Sequence, residues 1–358
     1  MAEVHSSAVD RPSAEIVRHP EPRRLTFALL AGLVVVMLLS LGIGAVPIPL
    51  SSIAESLAAG VGAPVAVDRT IQSIVLQIRL PRIVLAVVVG MALAASGTVF
   101  QGLFRNPMAD PYIIGVSGGA ALGATTAIVL GVTLSVAGLS AVTLLAFGGA
   151  LLVTVLVYRL AWFRQDVVPE HLLLAGVAVG AFLAAIISAL QFASSGNIQQ
   201  VVFWLMGGFS GRTWEHVWLA FPYVIAGYAV ARYFARDLNL LLLGDETARS
   251  LGVSAASSRR WLIAAGALMA AAAVAVSGLI GFVGLVVPHL VRLITGPDHR
   301  RLLPAATLAG GITLLLADTV ARTILSPTEI PVGIVTAGLG APFFLYLLRK
   351  NRSRTYWS

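Results

Sequence analysis

Uninterrupted apolar runs of membrane length recur along almost the whole chain, and this feature constrains the fold more than any other. They extend from Leu25 to Leu348 in a chain of 358 residues, of which 58% are hydrophobic and 11% are charged. About 20 apolar residues suffice to cross a bilayer as a helix. The strands of a membrane barrel alternate polar and apolar residues, whereas these runs are continuously apolar. The sequence therefore predicts an all-α polytopic membrane protein.

Ten spans can be drawn, each about as long as a membrane helix needs to be. The cut between the seventh and eighth spans, at residues 278 and 279, is the least marked. An even number of spans returns the C-terminus to the side of the N-terminus. The expected spans are 25–45, 83–104, 112–132, 137–158, 171–193, 214–234, 261–278, 279–296, 303–325 and 331–348.

Basic residues orient these spans. With a cytoplasmic N-terminus, 19 of the 24 Lys and Arg residues fall on the cytoplasmic side and five fall outside. This asymmetry is the one expected of membrane proteins, so both termini are predicted to be cytoplasmic. The membrane topology also explains the net charge of +8, so a nucleic-acid partner is not needed to account for it. The sequence contains no recognisable nucleic-acid-binding module. The five outer residues are Arg69, Arg79, Arg82, Arg212 and Arg322.

The spans define one domain with a tail at each end. Residues 1–24 contain prolines, histidines and mixed charge without an apolar run, so they are expected to form a disordered cytoplasmic tail. Residues 25–349 are expected to form the ten-helix transmembrane domain, and residues 350–358 a cytoplasmic C-terminal tail. Many glycines inside the spans predict close helix packing.

The residue inventory excludes several kinds of chemistry. The chain has no cysteine, and its only lysine is Lys350, so a phosphate-binding loop with its lysine cannot form here. The six histidines are isolated from one another and from acids at metal-ligand spacing. We therefore predict no catalytic residue, no metal site and no cofactor bound by this chain. If ATP and Mg²⁺ are used, separate subunits must bind them.

Asp318 is the exceptional acid inside a predicted span. Arg322 follows it by four residues, which places both on one helix face about 6 Å apart along the axis. An unpaired carboxylate in hydrocarbon would cost about 3 kcal/mol, so pairing or a watery interface is required. The predicted role is a structural ion pair at the outer boundary, and a proton relay is the alternative.

Arg79 and Arg82 flank Pro81 at the predicted start of the second span, where proline suits the first helical turn. Two cations at a helix N-terminus oppose its partial positive charge and indicate an acidic partner. The alternative is that both side chains extend toward lipid headgroups.

The longest cytoplasmic loop, 236–260, contains a predicted short helix at about 245–252. Asp245 and Glu246 favour its N-terminal end, Arg249 lies four residues after Asp245, and Gly252 suits a left-handed C-terminal residue. So short a helix is marginal in water, so it must pack against a partner or against the ends of the spans. The helix consists of Asp245, Glu246, Thr247, Ala248, Arg249, Ser250, Leu251 and Gly252.

Several stretches together resemble the permeases of type II ABC importers for iron-siderophores, haem and cobalamin, the FecCD-like family. The longest begins R-L-P-R and continues through F-Q-G-L-F-R-N-P-M-A-D-P-Y. The resemblance leaves out only the first 24 residues and the last few. Its segments are 79–120, 171–178, 203–209, 244–253, 278–292, 316–322 and 331–344.

The resemblance implies a type II ABC importer permease fold in a bacterial or archaeal plasma (inner) membrane. Its implied partners are a second copy of the chain, two cytoplasmic ATP-binding subunits, an extracytoplasmic substrate-binding protein and membrane lipids. By similarity, Arg79, Arg82 and Arg322 dock the binding protein, and the 245–252 helix couples the chain to the ATPase. Asn106 and Met108 match a cytoplasmic gate.

Two further residues, Pro169 and Glu170, lie where a second gate layer is expected, but they differ from the small hydroxyl residues of the cobalamin importer. Ferric siderophore is the first expected cargo, with haem or cobalamin as alternatives. An ion-coupled secondary transporter is the rival class, which the near absence of acids in the spans disfavours. A membrane-embedded enzyme would need a polar catalytic constellation, and none is visible.

Overall fold

The computed structural model describes residues 22–350, apart from positions 45, 66, 164, 165 and 195. Within these residues fifteen α-helices account for nearly all regular structure, and the only strands form two short hairpins. The predicted all-α class is therefore confirmed. The predicted tails 1–24 and 350–358 lie outside the described residues, except that residues 22–24 begin the first helix and Lys350 ends the last.

The first eight helices are α1 (Pro22–Gly42), α2 (Leu50–Gly60), α3 (Arg69–Ser73), α4 (Leu80–Leu103), α5 (Val116–Val129), α6 (Ala141–Leu160), α7 (Pro169–Ala193) and α8 (Ile198–Met206). The remaining seven are α9 (Trp214–Tyr233), α10 (Ala235–Leu242), α11 (Asp245–Ser250), α12 (Ala255–Ser277), α13 (Val283–Thr295), α14 (His299–Ala321) and α15 (Val332–Lys350). The hairpins pair β1 (Ser135–Val136) with β2 (Leu139–Ser140), and β3 (Trp162–Phe163) with β4 (Asp166–Val167).

Each of the ten predicted spans falls on an apolar helix. Six helices in the described residues are long and apolar enough to cross a membrane, and the pair α9 and α10, bent by 53°, makes a seventh. The other three predicted spans correspond to α5, α13 and α15, whose apolar parts are shorter. A helix of 13 or 14 residues, such as α13 or α5, reaches only about 20 Å, less than the hydrocarbon core.

The second span begins earlier than the sequence predicts. A continuous helix of 35 residues runs from Arg69 to Leu103, so Pro81 lies well inside it rather than in its first turn. A π-helical segment, Ile74–Arg79, ends two residues before Pro81. Its wider turn relieves the backbone where proline offers no N–H and crowds the preceding turn.

A break separates the seventh and eighth predicted spans, and it is longer than the predicted cut. The chain leaves α12 at Ser277 and re-enters a helix only at Val283. Gly278 and Phe282 both have positive φ, at 70° and 68°, which a continuous helix cannot accommodate. The hydroxyl of Tyr112 donates to the carbonyl of Ile280 at 3.0 Å and fixes the segment.

Small residues bring the central helices together. A Cβ atom at Gly90 would lie 2.3 Å from the carbonyl oxygen of Gly310, so only glycine permits this approach of α4 to α14. Likewise, a Cβ at Gly97 would lie 1.8 Å from the carbonyl oxygen of Gly284 in α13. Such close packing is how helices associate in lipid, where apolar contact alone gains little. Helix α4 is consequently buried along nearly its whole length.

Candidate functional site

Five charged residues meet where α4 begins and α14 ends, and we call them the Arg82 cluster. They come from the start of α4, the end of α14 and the segment that precedes α15. Four of them are at least 90% buried: Arg79, Arg82, Asp318 and Arg322. The fifth, Glu329, has a side chain that is 37% exposed.

Arg82 is the centre of this cluster because its guanidinium bridges two carboxylates. Its Nη2 lies 2.8 Å from Asp318 Oδ1, and its Nε lies 3.1 Å from both carboxylate oxygens of Asp318. Its Nη1 donates to both oxygens of Glu329, at 2.8 and 2.9 Å. Bidentate pairs of this kind are among the stronger interactions that arginine makes. The arrangement ties the start of α4 to the end of α14 and to the segment before α15.

Arg79 and Arg322 bind the C-terminal end of α1. Arg79 Nη1 donates to the carbonyl oxygen of Leu41 at 2.6 Å, and its Nη2 donates to that of Val46. Arg322 Nη2 donates to the carbonyl and, at 2.6 Å, to the hydroxyl oxygen of Ser40. The last carbonyls of a helix lack partners within the helix and carry its partial negative charge. Both arginines therefore cap α1.

The predicted ion pair between Asp318 and Arg322 is present, but it is not the main contact. Arg322 Nε lies 4.0 Å from Asp318 Oδ2, at the limit of an ion pair, whereas Arg82 makes the short contacts. The spacing of four residues within one helix was enough to predict the contact of Asp318 with Arg322. Arg82 is 236 residues away along the chain, so no local pattern could indicate it.

Glu329 is a cluster residue that sequence reasoning missed. Besides binding Arg82, it accepts a hydrogen bond from the hydroxyl of Ser210, in the segment between α8 and α9. Burial opposes ionisation of Glu329, but the hydrogen bonds from Ser210 and Arg82 outweigh it and lower its pKa. A signal was present in the sequence, because Glu329 is an isolated acid beside the end of a predicted span.

A cavity of about 560 Å³ adjoins the Arg82 cluster, and we call it the Arg212 cavity. Arg212 is in the segment between α8 and α9, and its Nη1 lies 3.1 Å from Nε2 of His216. Burial lowers the pKa of the Arg212 guanidinium. The cavity is lined by Arg82, Gln199, Gln200, Phe203, Trp204, Gly207, Gly208, Phe209, Ser210, Arg212, Ser277, Glu329, Ile330, Pro331 and Val332.

A second cluster, the Asp245 cluster, lies at the other end of α4. Asp245 Oδ1 lies 3.1 Å from Arg105 Nη2, just beyond α4, and its Oδ2 lies 2.8 Å from Arg259 Nη2 in α12. Burial opposes ionisation of Asp245, but the hydrogen bond and charge of Arg259, with the charge of Arg105, lower its pKa. The 24 residues of α4 place the two clusters about 35 Å apart, which is the distance between membrane faces.

The predicted helix at 245–252 is α11, Asp245–Ser250, and it is two residues shorter than expected. Leu251 and Gly252 follow it, and Gly252 has φ of 84°, the left-handed conformation predicted for it. Ala248 is fully buried, so this side of α11 rests on the bundle. The residues on its other side are exposed: Glu246, Thr247, Arg249, Ser250, Leu251 and Gly252.

The four predicted gate residues lie near the Asp245 cluster but not in one group. Pro169 and Glu170 begin α7 and line a cavity of about 360 Å³ together with Arg105, Asp245 and Arg259. Asn106 and Met108 lie in the loop after α4, where Asn106 Oδ1 accepts a hydrogen bond from the Met108 amide at 2.9 Å. Met108 is 42% exposed.

The described residues contain no group of three or more His, Asp or Glu side chains that is arranged to hold a metal ion. Instead, the bundle of membrane-length helices carries a buried ion-pair cluster at one end and an anchored, solvent-facing helix at the other. This organisation is that of a multi-pass membrane protein.

Comparison with known proteins gives the family. The model of the FecCD transport family matches residues 32–350, so the chain belongs to this family. It is 49% identical to the cobalamin import system permease protein BtuC of Halobacterium salinarum over 311 residues, which cover 87% of this chain and 82% of that protein. It is 44% identical to the hemin transport system permease protein HmuU of Yersinia pestis over 282 residues, which cover 78% of this chain and 84% of that protein.

A solved structure shares the fold. It is a chain of an ABC transporter assigned to the metal-chelate type, in an inward-facing conformation. The TM-score is 0.80 at 36% identity, over 92% of this chain and 99% of that one. The chain is therefore a permease subunit of a type II ABC importer, and the resemblance noted in the sequence is confirmed.

Proposed function

We propose that two copies of this chain enclose a translocation pathway and that ATP hydrolysis on two separate cytoplasmic subunits drives import through it. The observation that carries the proposal is the anchoring of α11. Its Asp245 side binds Arg105 and Arg259, and its opposite side is exposed. Six residues are too few for a helix to be stable alone, so α11 depends on these contacts. A partner that moves α11 would therefore move the ends of α4 and α12.

The proposed cargo is a large metal chelate of the cobalamin, haem or ferric siderophore classes. The family resemblance alone made ferric siderophore the first expected cargo. Two relatives are instead named for cobalamin and hemin, and the relative of known structure is assigned to the metal-chelate type. All three classes are consistent with a dimeric pathway that admits a molecule larger than a simple ion.

We place the Arg82 cluster on the outer side of the membrane, where an extracytoplasmic binding protein docks, and both termini in the cytoplasm. The cluster combines three arginines with two carboxylates, so its net charge is positive and complements acidic residues of a partner. The charge bias of the loops supports this orientation. The proposed cytoplasmic gate comprises Asn106, Met108, Pro169 and Glu170.

Reconstitution tests the proposal. Proteoliposomes that contain this chain, its ATPase subunits and its binding protein should accumulate one of the three chelate classes only when ATP is hydrolysed. Proteoliposomes that contain the chain alone should accumulate none of them under a proton or sodium gradient. Accumulation by the chain alone would support the ion-coupled carrier and overturn the proposal.

Docking needs a test that leaves the cluster intact. Reversing the charge of Arg79 or Arg82 would remove the cap of α1 or the partner of Asp318, and so would damage the fold. Replacing surface glutamates of the binding protein with glutamine avoids this problem. We expect weaker association that depends less on salt, because fewer charge pairs remain to be screened. Unchanged affinity at low salt would remove the docking role.

A further inference from the structure

The Arg212 cavity has no assigned role in docking or coupling, yet it has the size and wall of a ligand site. Its volume of about 560 Å³ lies within the range of pockets that hold small molecules. The aromatic side chains of Phe203 and Trp204, both from α8, line it together with the polar groups of Arg82, Arg212 and Glu329. Apolar walls with a few polar groups are typical of ligand sites.

Its two arginines are not equivalent. Arg82 is neutralised by its short contacts with Asp318 and Glu329. Arg212 has no ion pair with a carboxylate in the described part of the chain, and its hydrogen-bond contact is with His216. A partly buried cation without a counter-charge is costly, since burial removes part of the water that would otherwise solvate it. The charge that Arg212 brings into this wall is therefore available to an anion.

Two buried N–H donors also belong to residues of this wall. Neither Arg212 Nε nor Trp204 Nε1 has an acceptor among the described residues. Folded proteins satisfy nearly all of their buried donors, and each exception calls for a physical explanation. Here both exceptions fall on residues that line one cavity. Because neither donor atom is accessible to water, these two N–H groups do not face the cavity, and the charge of Arg212 is what the cavity offers to an anion.

We propose that the Arg212 cavity is a binding subsite for a carboxylate of the transported chelate. Arg212 supplies the positive charge and a hydrogen bond, while Phe203 and Trp204 contact the apolar part of the chelate. This inference rests on the proposed function and deepens it, because it narrows the cargo to metal chelates that carry carboxylates. A glutamate of the docked binding protein is the other source of the same chemistry.

Fluorescence titration of the full-length chain in lipid nanodiscs, without its binding protein, tests the subsite. The probes are zinc protoporphyrin IX, which carries two carboxylates, and its dimethyl ester, which carries none. We expect saturable binding of the acid, and binding of the acid to R212Q that is weaker by about tenfold to a hundredfold, as loss of a charge-assisted hydrogen bond predicts. The ester should bind the wild type and R212Q equally.

Matched variants distinguish the loss of acid binding in R212Q from a general loss of folding. R69Q removes an exposed arginine that does not line the cavity and should bind the acid like the wild type. R212K keeps the charge and should retain most of the affinity. R212Q should unfold at the same temperature as the wild type or higher, because it removes a partly buried cation that has no carboxylate partner. If R212Q does not assemble, the preference of the wild type for the acid over the ester remains the test of the subsite.

Three results would overturn the subsite: no saturable binding of the acid to the wild type, equal affinity of the acid for the wild type and R212Q, or equal affinity of the acid and the ester. If R212Q changes only the affinity for the binding protein, the carboxylate belongs to that protein, and the cargo subsite is likewise overturned. These results leave the proposed function intact, since it fails only if the assembled wild-type importer moves no chelate on ATP hydrolysis.

Discussion

Asp318 is fully buried between two arginines, and its surroundings show what holds this end of the bundle together. Removing charges from water is costly, and the cost is offset only when geometry and hydrogen bonding are good. The short contacts of Arg82 meet this condition on one side of Asp318, and Arg322 adds a longer contact on the other. The cluster joins α1, α4 and α14, so a structural role precedes any role in docking.

Asp318→Asn should destabilise the chain strongly. Arg82 would keep its contact with Glu329 but lose the buried carboxylate, and such a broken pair typically costs about 3 to 5 kcal/mol. Adding Arg82→Gln should recover part of this loss, because the double variant no longer buries a cation that has lost one of its two carboxylates. Thermal unfolding in detergent measures both effects. Additive losses from the two substitutions would show that the residues do not act as a pair.

Sequence reasoning at this scale succeeded where partners are close along the chain and failed where they are distant. The contact of Asp318 with Arg322 follows from helical spacing. The contact of Arg82 with Glu329 joins residues 247 apart and has no periodic signal. Arg212 was counted among the outer cations, but its burial depends on how α8 and α9 pack, which composition does not indicate.

Helix α11 should lose its coupling role when Asp245 is neutralised. Asp245→Asn weakens both ion pairs that hold α11 to α4 and α12, so we expect ATP hydrolysis by the assembled importer to continue while cargo uptake falls severalfold. Glu246→Gln is the matched control, because this neighbouring carboxylate is exposed and has neither contact. The ratio of uptake to hydrolysis is the measurement. Equal ratios in the two variants would contradict the role of Asp245.

The ion pairs of Asp245 with Arg105 and Arg259 also make the stability of the folded chain depend on pH in a predictable direction. The pKa of Asp245 is lowered in the folded chain, so its stabilising effect is fully present above the unfolded value of about 4 and is lost as pH falls through the folded value. The difference in stability between the wild type and Asp245→Asn should therefore be constant near neutral pH and disappear in acid. Unfolding temperatures measured across this range check it, and a difference that grows in acid would contradict the lowered pKa.

Close contact between helices sets a second requirement at the scale of elements. Gly97→Ala places a methyl group 1.8 Å from the carbonyl oxygen of Gly284 and must push α4 away from α13. Overpacking of this kind typically costs about 1 to 3 kcal/mol or more. Gly180→Ala is the control, since nothing lies within 4 Å of the added atom. Thermal unfolding should separate the two variants, and equal stability would contradict the close approach.

Hydropathy predicted that these helices exist but not where all of them begin. The second span was expected from residue 83 because the preceding residues, R-T-I-Q-S-I-V-L-Q-I-R-L-P-R, mix polar and apolar types. They are nevertheless helical, because α2 and the neighbouring π-helical segment pack together. The break at 278–282 was expected as a single cut, since the left-handed conformation of Phe282 depends on tertiary contacts rather than on its own preference.

At the scale of the whole molecule, the two clusters divide the chain into an end that holds α1, α4 and α14 together and an end that presents α11. Helix α4 connects them as a buried rod with glycines at its closest contacts. Close-packed interiors transmit displacement rather than absorb it. We therefore expect a shift at the Asp245 cluster to be carried along α4 toward the Arg82 cluster and the adjoining Arg212 cavity.

The orientation of this assembly can be measured directly, because the chain has no cysteine and any introduced thiol is unique. Ser51 is exposed at the start of α2, beside the end of α1 that the Arg82 cluster caps, and Ser250 is exposed on α11. A membrane-impermeant maleimide should label Ser51→Cys in intact cells and Ser250→Cys only after permeabilisation. The reverse pattern would invert the proposed topology. It would also place the Arg212 cavity on the cytoplasmic side, where no incoming chelate is first received.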